Sequence, residues 1–153
     1  MRVQVCAAAF AIVFTGSAVA FAATGSRARS KPDLVVSSIS NPPPVVFQGN
    51  SFTVHDRTRN RGNATAGRTA TQYYFVSASG QRTPAGRRPV ARLRPGRTSF
   101  GTGTVKARPS LAFGTYSLVA CADGGRTVSE SNERNNCRTA ATTVIVKKPP
   151  PPA

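Results

Sequence analysis

Oxygen-bearing side chains crowd one short stretch near the C-terminus. Glu130, Asn132, Glu133, Asn135 and Asn136 fall between positions 130 and 136, and Asp123 precedes them. Such a set suits a hard cation, and calcium takes roughly six to eight oxygens, several often from carboxylates. Only Asp123, Glu130 and Glu133 offer carboxylates here, and their spacing fits no calcium-loop pattern. The favoured reading is structural: Asn and Glu side chains bond loop backbone groups and pair with Arg126, Arg134 or Arg138. A calcium-stabilised module is kept as the alternative, and no cofactor is expected.

Catalytic groupings are sparse. His55 is the only histidine and is followed by Asp56. In a strand, neighbours point to opposite faces, so the two cannot form a relay. Glu130 and Glu133 have the composition of an acid and base pair, but a hairpin loop offers no cleft for substrate. The expectation is a protein that is not an enzyme. Asp56 falls on the inward parity of its strand, which predicts pairing with an arginine near one end of the fold, because an unpaired buried carboxylate is costly.

Cysteine and arginine carry the remaining chemistry. Cys121 and Cys137 stand at the two ends of the polar loop, leaving one strand-like run and opening the next. A hairpin closed by a disulfide follows, in keeping with an oxidising compartment. The chain holds 21 Lys and Arg against five Asp and Glu, a formal net charge of +16. Residues 81–97 contain Arg82, Arg87, Arg88, Arg92, Arg94 and Arg97. A polyanion-binding face at Arg87, Arg88, Arg92, Arg94 and Arg97 is the functional reading of this cluster; the other is codon usage in a GC-rich genome. Stacking aromatics are missing from residues 81–97, and no zinc spacing or recognition helix occurs, so specific nucleic-acid binding is not expected.

The elements that must position these groups are strands. No stretch after residue 22 repeats apolar residues at helical spacing. Asp33 to Ile39 is a short edge strand stopped by Pro42-Pro43-Pro44. Phe52, Val54, Asp56 and Thr58 alternate with Thr53, His55, Arg57 and Arg59 at a period of two. Thr69 to Ser77 follows, with Tyr73 and Phe75 inward. Residues 81–97 read as loop, with a short strand only at Val90 to Leu93, and Leu93-Arg94-Pro95-Gly96 as a turn. Ser99 to Ala107 is next. Tyr116, Leu118 and Ala120 alternate in a strand opened by Gly114, and Val144 and Val146 complete the last one. About seven short strands between Gly, Pro and Asn turns predict one all-β antiparallel sandwich of immunoglobulin or fibronectin-III type. Asn63-Ala64-Thr65 is a glycosylation triplet on a turn.

The N-terminus reads as a targeting segment. Met1-Arg2, an apolar run to Phe21 and small residues at Ala18, Ala20 and Ala22 make residues 1–22 a signal peptide, with Cys6 inside it. An uncleaved membrane anchor is the other reading of the same run. Residues 23–31 form a basic leader, 32–146 the domain, and 147–153 a Pro-rich spacer. Export to the cell surface or the medium is expected, with no stable membrane insertion once the signal is removed. The expected partner is an extracellular protein, a glycan or an anionic wall polymer.

Several stretches resemble the CARDB family of cell-adhesion-related modules. They are Pro32-Asp33-Leu34-Val35-Val36, Asn60-Arg61-Gly62, Leu93-Arg94-Pro95-Gly96, Gly114-Thr115-Tyr116, Asp123, and Val128 to Asn136, which reads V-S-E-S-N-E-R-N-N. The resemblance spans about residues 32–146. It implies an immunoglobulin-like sandwich and a role in adhesion through protein or carbohydrate contacts, in a family whose modules often repeat in tandem. One copy is present here.

Overall fold

From Ser51 to Asn60 every second side chain turns inward, and Val54, Asp56, Thr58 and Asn60 are at most 1% exposed. That period of two is the pleat of a half-buried strand, and it recurs through the domain. The computed structural model describes residues 29–151. The expected signal segment, Cys6 and the start of the basic leader lie outside the described residues.

Eight strands follow in chain order: β1 (Leu34–Ile39), β2 (Val45–Phe47), β3 (Ser51–Asn60), β4 (Thr69–Val76), β5 (Arg82–Val90), β6 (Thr98–Lys106), β7 (Gly114–Cys121) and β8 (Cys137–Lys147). They build two sheets, ordered β1-β3-β6 and β2-β8-β7-β4-β5. No helix of the described residues is long and apolar enough to cross a membrane. The all-β immunoglobulin-like sandwich read from the sequence is the observed fold, and β1 is the edge strand it was expected to be.

Two elements depart from expectation. β2 is an additional strand of three residues that runs parallel to the end of β8, Val45 opposite Ile145 and Phe47 opposite Lys147. Residues 82–90, read as loop, form the nine-residue strand β5, paired along its length with β4. β5 closes the edge of its sheet, where Pro84 and Pro89 are tolerated because an outward N–H has no partner to lose. The strand expected at Val90 to Leu93 reduces to the end of β5 and one isolated bridge between Leu93 and Ala66.

The core lies between the sheets. Leu34, Val54, Tyr73, Phe75, Val105, Leu118, Val144 and Val146 are sealed from solvent, with Tyr73 and Phe75 inward as expected. Phe75 packs edge-on against both Phe52 and Tyr116, ring centroids 6.3 and 5.8 Å apart, a geometry that suits the aromatic quadrupole. Along β3 the inward row turns from apolar at Phe52 and Val54 to polar at Asp56, Thr58 and Asn60. One end of the interior is therefore hydrocarbon, and the other must satisfy hydrogen bonds.

Candidate functional site

The polar end is where the family-like stretches meet. Asn60 Nδ2 donates to the carbonyls of Ala64 at 2.8 Å and Leu93 at 2.9 Å, while Oδ1 accepts from Gly62 N at 3.0 Å and Asp33 N at 3.1 Å. The Asn60 backbone bonds Arg97 O and Gly96 N. One buried amide thus ties the start of β1 to both neighbouring turns. An unpaired group here would cost about 1–3 kcal/mol, which explains why asparagine occupies the position.

The loop from Val128 to Asn136 clasps the incoming chain. Glu130 Oε2 accepts the Leu34 N–H, and its Oε1 accepts from Asn136 Nδ2 at 2.6 Å. Ser131 N donates to Pro32 O at 2.9 Å, and Asn135 Nδ2 to Asp33 Oδ1 at 2.9 Å. Lys31 Nζ donates to Ser129 Oγ, and Lys31 N to Asn63 Oδ1. Burial pushes the Glu130 carboxyl up to about 7 against the pull of the Leu34 and Asn136 donors, with the charges of Glu133 and Asp123 adding to the rise. Glu133 Oε1 accepts from Glu130 N, and Asn132 Oδ1 from Arg134 N.

Asp123 organises the other side of the loop. Its carboxylate accepts from Thr69 Oγ1, from Thr127 Oγ1 at 2.7 Å, and from the backbone N–H groups of Thr127 and Val128 at 3.0 and 2.8 Å. Burial acts to raise its pKa, but these donors outweigh burial and hold it below the usual carboxylate range. Cys121 and Cys137, direct partners in the β7–β8 register, are joined by the expected disulfide. At the opposite end of β7, Tyr116 OH donates back to Ala112 O at 2.9 Å, a tyrosine corner that gives the Gly114-Thr115-Tyr116 stretch its purpose.

The expected backbone bonding by the loop is therefore present. The expected pairing with Arg126, Arg134 or Arg138 is not: among the described residues the one ion pair is Arg88 with Asp56. No group of three or more His, Cys, Asp or Glu gathers to hold a metal among those residues. Asp123, Glu130 and Glu133 each accept hydrogen bonds from the fold's own donors.

Asp56 forms a second buried polar unit. Arg88 crosses from β5 to place Nη2 2.6 Å from Asp56 Oδ1 and Nε 2.8 Å from Oδ2. Tyr73 OH donates to Oδ2 at 2.5 Å, and Thr58 and Thr71 share a 2.6 Å hydroxyl contact beside it. The Asp56 hydrogen bond, together with its charge, raises the Arg88 pKa despite burial. Burial and the same carboxylate raise Tyr73. The predicted arginine partner is thus found, but Asp56 sits midway along β3 and not near its end.

This geometry corrects the arginine cluster. Arg88 is 7% exposed and committed to Asp56, so it is not available to a polyanion. Arg87 is exposed on β5, and Arg92, Arg94 and Arg97 are exposed in the turn before β6. Sequence reading passed over a different place, the outer surface of the β1-β3-β6 sheet, where Arg57 stacks on Phe100 with its guanidinium carbon 4.2 Å from the ring centroid. The signal was present in the alternation, since Arg57 and Phe100 both lie on outward parity.

Comparison with known proteins agrees with the fold. The CARDB domain of the PF1109 protein from Pyrococcus furiosus, solved in complex with di-metal ions, is 26% identical, with a TM-score of 0.52 over 76% of this chain and 94% of that one. The 272–376 domain of a proposed cell-surface protein from Methanosarcina acetivorans is 23% identical, with a TM-score of 0.52 over 76% and 93%. A β-glucosidase from intestinal bacteria shares the fold at 14% identity and a TM-score of 0.50, across 16% of its own length. No curated protein matches the chain. The CARDB family model matches residues 31–140, and the chain belongs to that family.

Proposed function

We propose that this chain is a non-catalytic binding module that works outside the cell or at its surface, in adhesion-type contacts with extracellular polymers or proteins. One observation carries the reading: the five carboxylates of the chain each accept hydrogen bonds within the fold. Asp33 takes Asn135, Asp56 takes Tyr73 and Arg88, Asp123 takes Thr69, Thr127 and Val128, Glu130 takes Leu34 and Asn136, and Glu133 takes the Glu130 amide. A carboxylate engaged by the fold's own donors is poorly placed for general acid or base work on a substrate. Besides His55 and Glu133, the groups left to solvent are chiefly cations, hydroxyls and a few apolar rings, which suit binding. Membership of the CARDB family and the likeness to a proposed cell-surface protein support the location.

The test is retention. Labelled protein is incubated with cell envelopes of its source organism beside a charge-matched basic protein. Saturable retention well above that control is the expected result. Retention no greater than the control's would overturn the reading.

A further inference from the structure

The outer face of the β1-β3-β6 sheet carries a recess of about 600 Å³, lined by Ile39, Ser40, His55, Arg57, Phe100 and Thr102. The register of β1 against β3 shifts between Val36 and Ser38, and such a bulge bends a strand and opens the ladder beside it. Phe100 is 65% exposed, the most exposed large apolar side chain among the described residues. It stands directly opposite Arg57 in the β3–β6 register, and the Arg57 guanidinium lies over its ring. That stacking orders the arginine and leaves its N–H edges free to donate.

Hydroxyl and imidazole groups complete the recess. His55 N donates to Ser40 Oγ at 3.0 Å, and His55 Nδ1 lies 3.1 Å from Thr102 Oγ1. The Ser40 hydroxyl accepts in that bond and keeps its own proton to give. Charge on this face is of one sign. Arg57, Arg59 and Lys106 are exposed there, while Asp56 is sealed inside against Arg88 and the other four acids belong to the loop cluster or to the start of β1.

We propose that this recess binds one or two sugar units of an acidic, uronate-bearing polysaccharide. The part of the exposed Phe100 ring that Arg57 leaves uncovered packs against the C–H face of a pyranose ring. Arg57 meets the uronate carboxylate through a two-point contact. Ser40, His55 and Thr102 exchange hydrogen bonds with ring hydroxyls, and Arg59 and Lys106 attract the flanking charges. The volume suits a small saccharide. A nucleic-acid strand would want several stacking rings in succession, and one is present. A lipid surface would want a broad apolar patch, and on this face Phe100 is the exposed large apolar side chain while Ile39 packs toward the core.

The inference rests on the surface-binding reading and narrows it. Its test titrates the full-length chain calorimetrically with polygalacturonate, with the carboxyl-reduced neutral polymer, and with oligodeoxythymidylate of matched charge. Binding to polygalacturonate is expected, weakened about tenfold by Phe100→Ala and by Arg57→Gln, and changed less than about twofold by Arg87→Gln or Arg92→Gln. Near-absent binding of the neutral polymer is also expected. Absence of polygalacturonate binding, parent-like affinity in both recess variants, equal affinity for the neutral polymer, or tighter binding of the oligonucleotide would each overturn it. The envelope assay separates the two readings: Phe100→Ala retained as well as a retained parent removes this inference alone, whereas loss of parent retention removes the surface-binding reading beneath it.

Discussion

Arg88 and Asp56 join the two sheets through a two-point ion pair, Nη2 to Oδ1 at 2.6 Å and Nε to Oδ2 at 2.8 Å, with both side chains nearly sealed from water. Such a pair fixes how one sheet sits on the other, because neither charge can be left alone in the interior. Its net stabilisation is small, since both ions lose their hydration, yet the loss of one partner is severe. Arg88→Ala is expected to cost about 3–5 kcal/mol in urea unfolding. The double change to Asp56→Leu with Arg88→Met is expected to recover much of that, and a double variant as unstable as the sum of its singles would show that the pair itself, and not the stranded charge, sets the cost.

Gly103 makes room for the same unit. A Cβ there would fall on the Tyr73 hydroxyl and displace it from Asp56. Gly103→Ala is expected to destabilise by about 1–3 kcal/mol, the usual range for overpacking. Gly67→Ala meets no atom within 4 Å and serves as the control, with a change of under about 0.5 kcal/mol.

Stability should follow pH in a direction set by Glu130 and Asp123. The Glu130 pKa rises on folding from 4.5 to about 7, so its contribution is complete below the unfolded value and is lost as pH rises through 7. Asp123 is lowered, so its contribution is present above 3.8 and is lost as pH falls below that value. The domain is expected to be most stable on the acid side of neutrality, and Glu130→Gln to flatten the decline toward pH 8. Thermal melts of both proteins from pH 4 to 8 give the answer; an unchanged slope in the variant would assign the decline to other groups.

Reduction of the Cys121–Cys137 bond, or Cys121→Ser, is expected to lower stability by roughly 3 kcal/mol through the freed loop in the unfolded chain. The circular dichroism of the folded protein should not change. A cooperative fold lost on reduction would mean that the loop clasp cannot form without the bridge.

Calcium is expected to leave the melting temperature unmoved at millimolar concentration. Asp123, Glu130 and Glu133 are engaged by the fold's own donors, and a ligand raises stability only when its concentration is comparable to or above its dissociation constant for the native state. A rise of several degrees, absent with magnesium, would show that the loop rearranges to take the ion.

Much of this was legible in the chain because it was local. The hairpin, its disulfide, and the inward parity of Tyr73, Phe75 and Asp56 follow from alternation within single strands. β5 was hidden because its sequence, R-T-P-A-G-R-R-P-V, holds prolines, a glycine and three arginines, each a loop signal alone. An edge position tolerates those residues, and edge status is settled by the whole sheet. The role of Arg88 was hidden for the same reason: a register shift of β5 against β4 between Tyr73 and Tyr74 aims it inward, and its partner lies 32 positions away. Glu130 and Asn136 were grouped from the sequence and hydrogen-bond each other, but the Leu34 amide that Glu130 also accepts is a backbone group from the other end of the domain. β2 is held by β8 and has too little pattern of its own in three residues.

The short parallel pairing of β2 with β8 sets how the domain would carry mechanical load. The chain enters beside the Glu130 clasp, β1, β2 and β8 run in the same sense, and it leaves past Lys147 at the opposite end. Pulling the two termini apart therefore drags β2 and β8 past one another along their length. The bonds from Ile145 N to Pro44 O and from Gln48 N to Lys147 O are then sheared together, where an antiparallel hairpin pulled from its open end would unzip one bond at a time. A domain with this geometry, pulled from both ends, resists stretching first at its smallest strand, and the place to weaken it is Val46, whose side chain anchors β2 in the core.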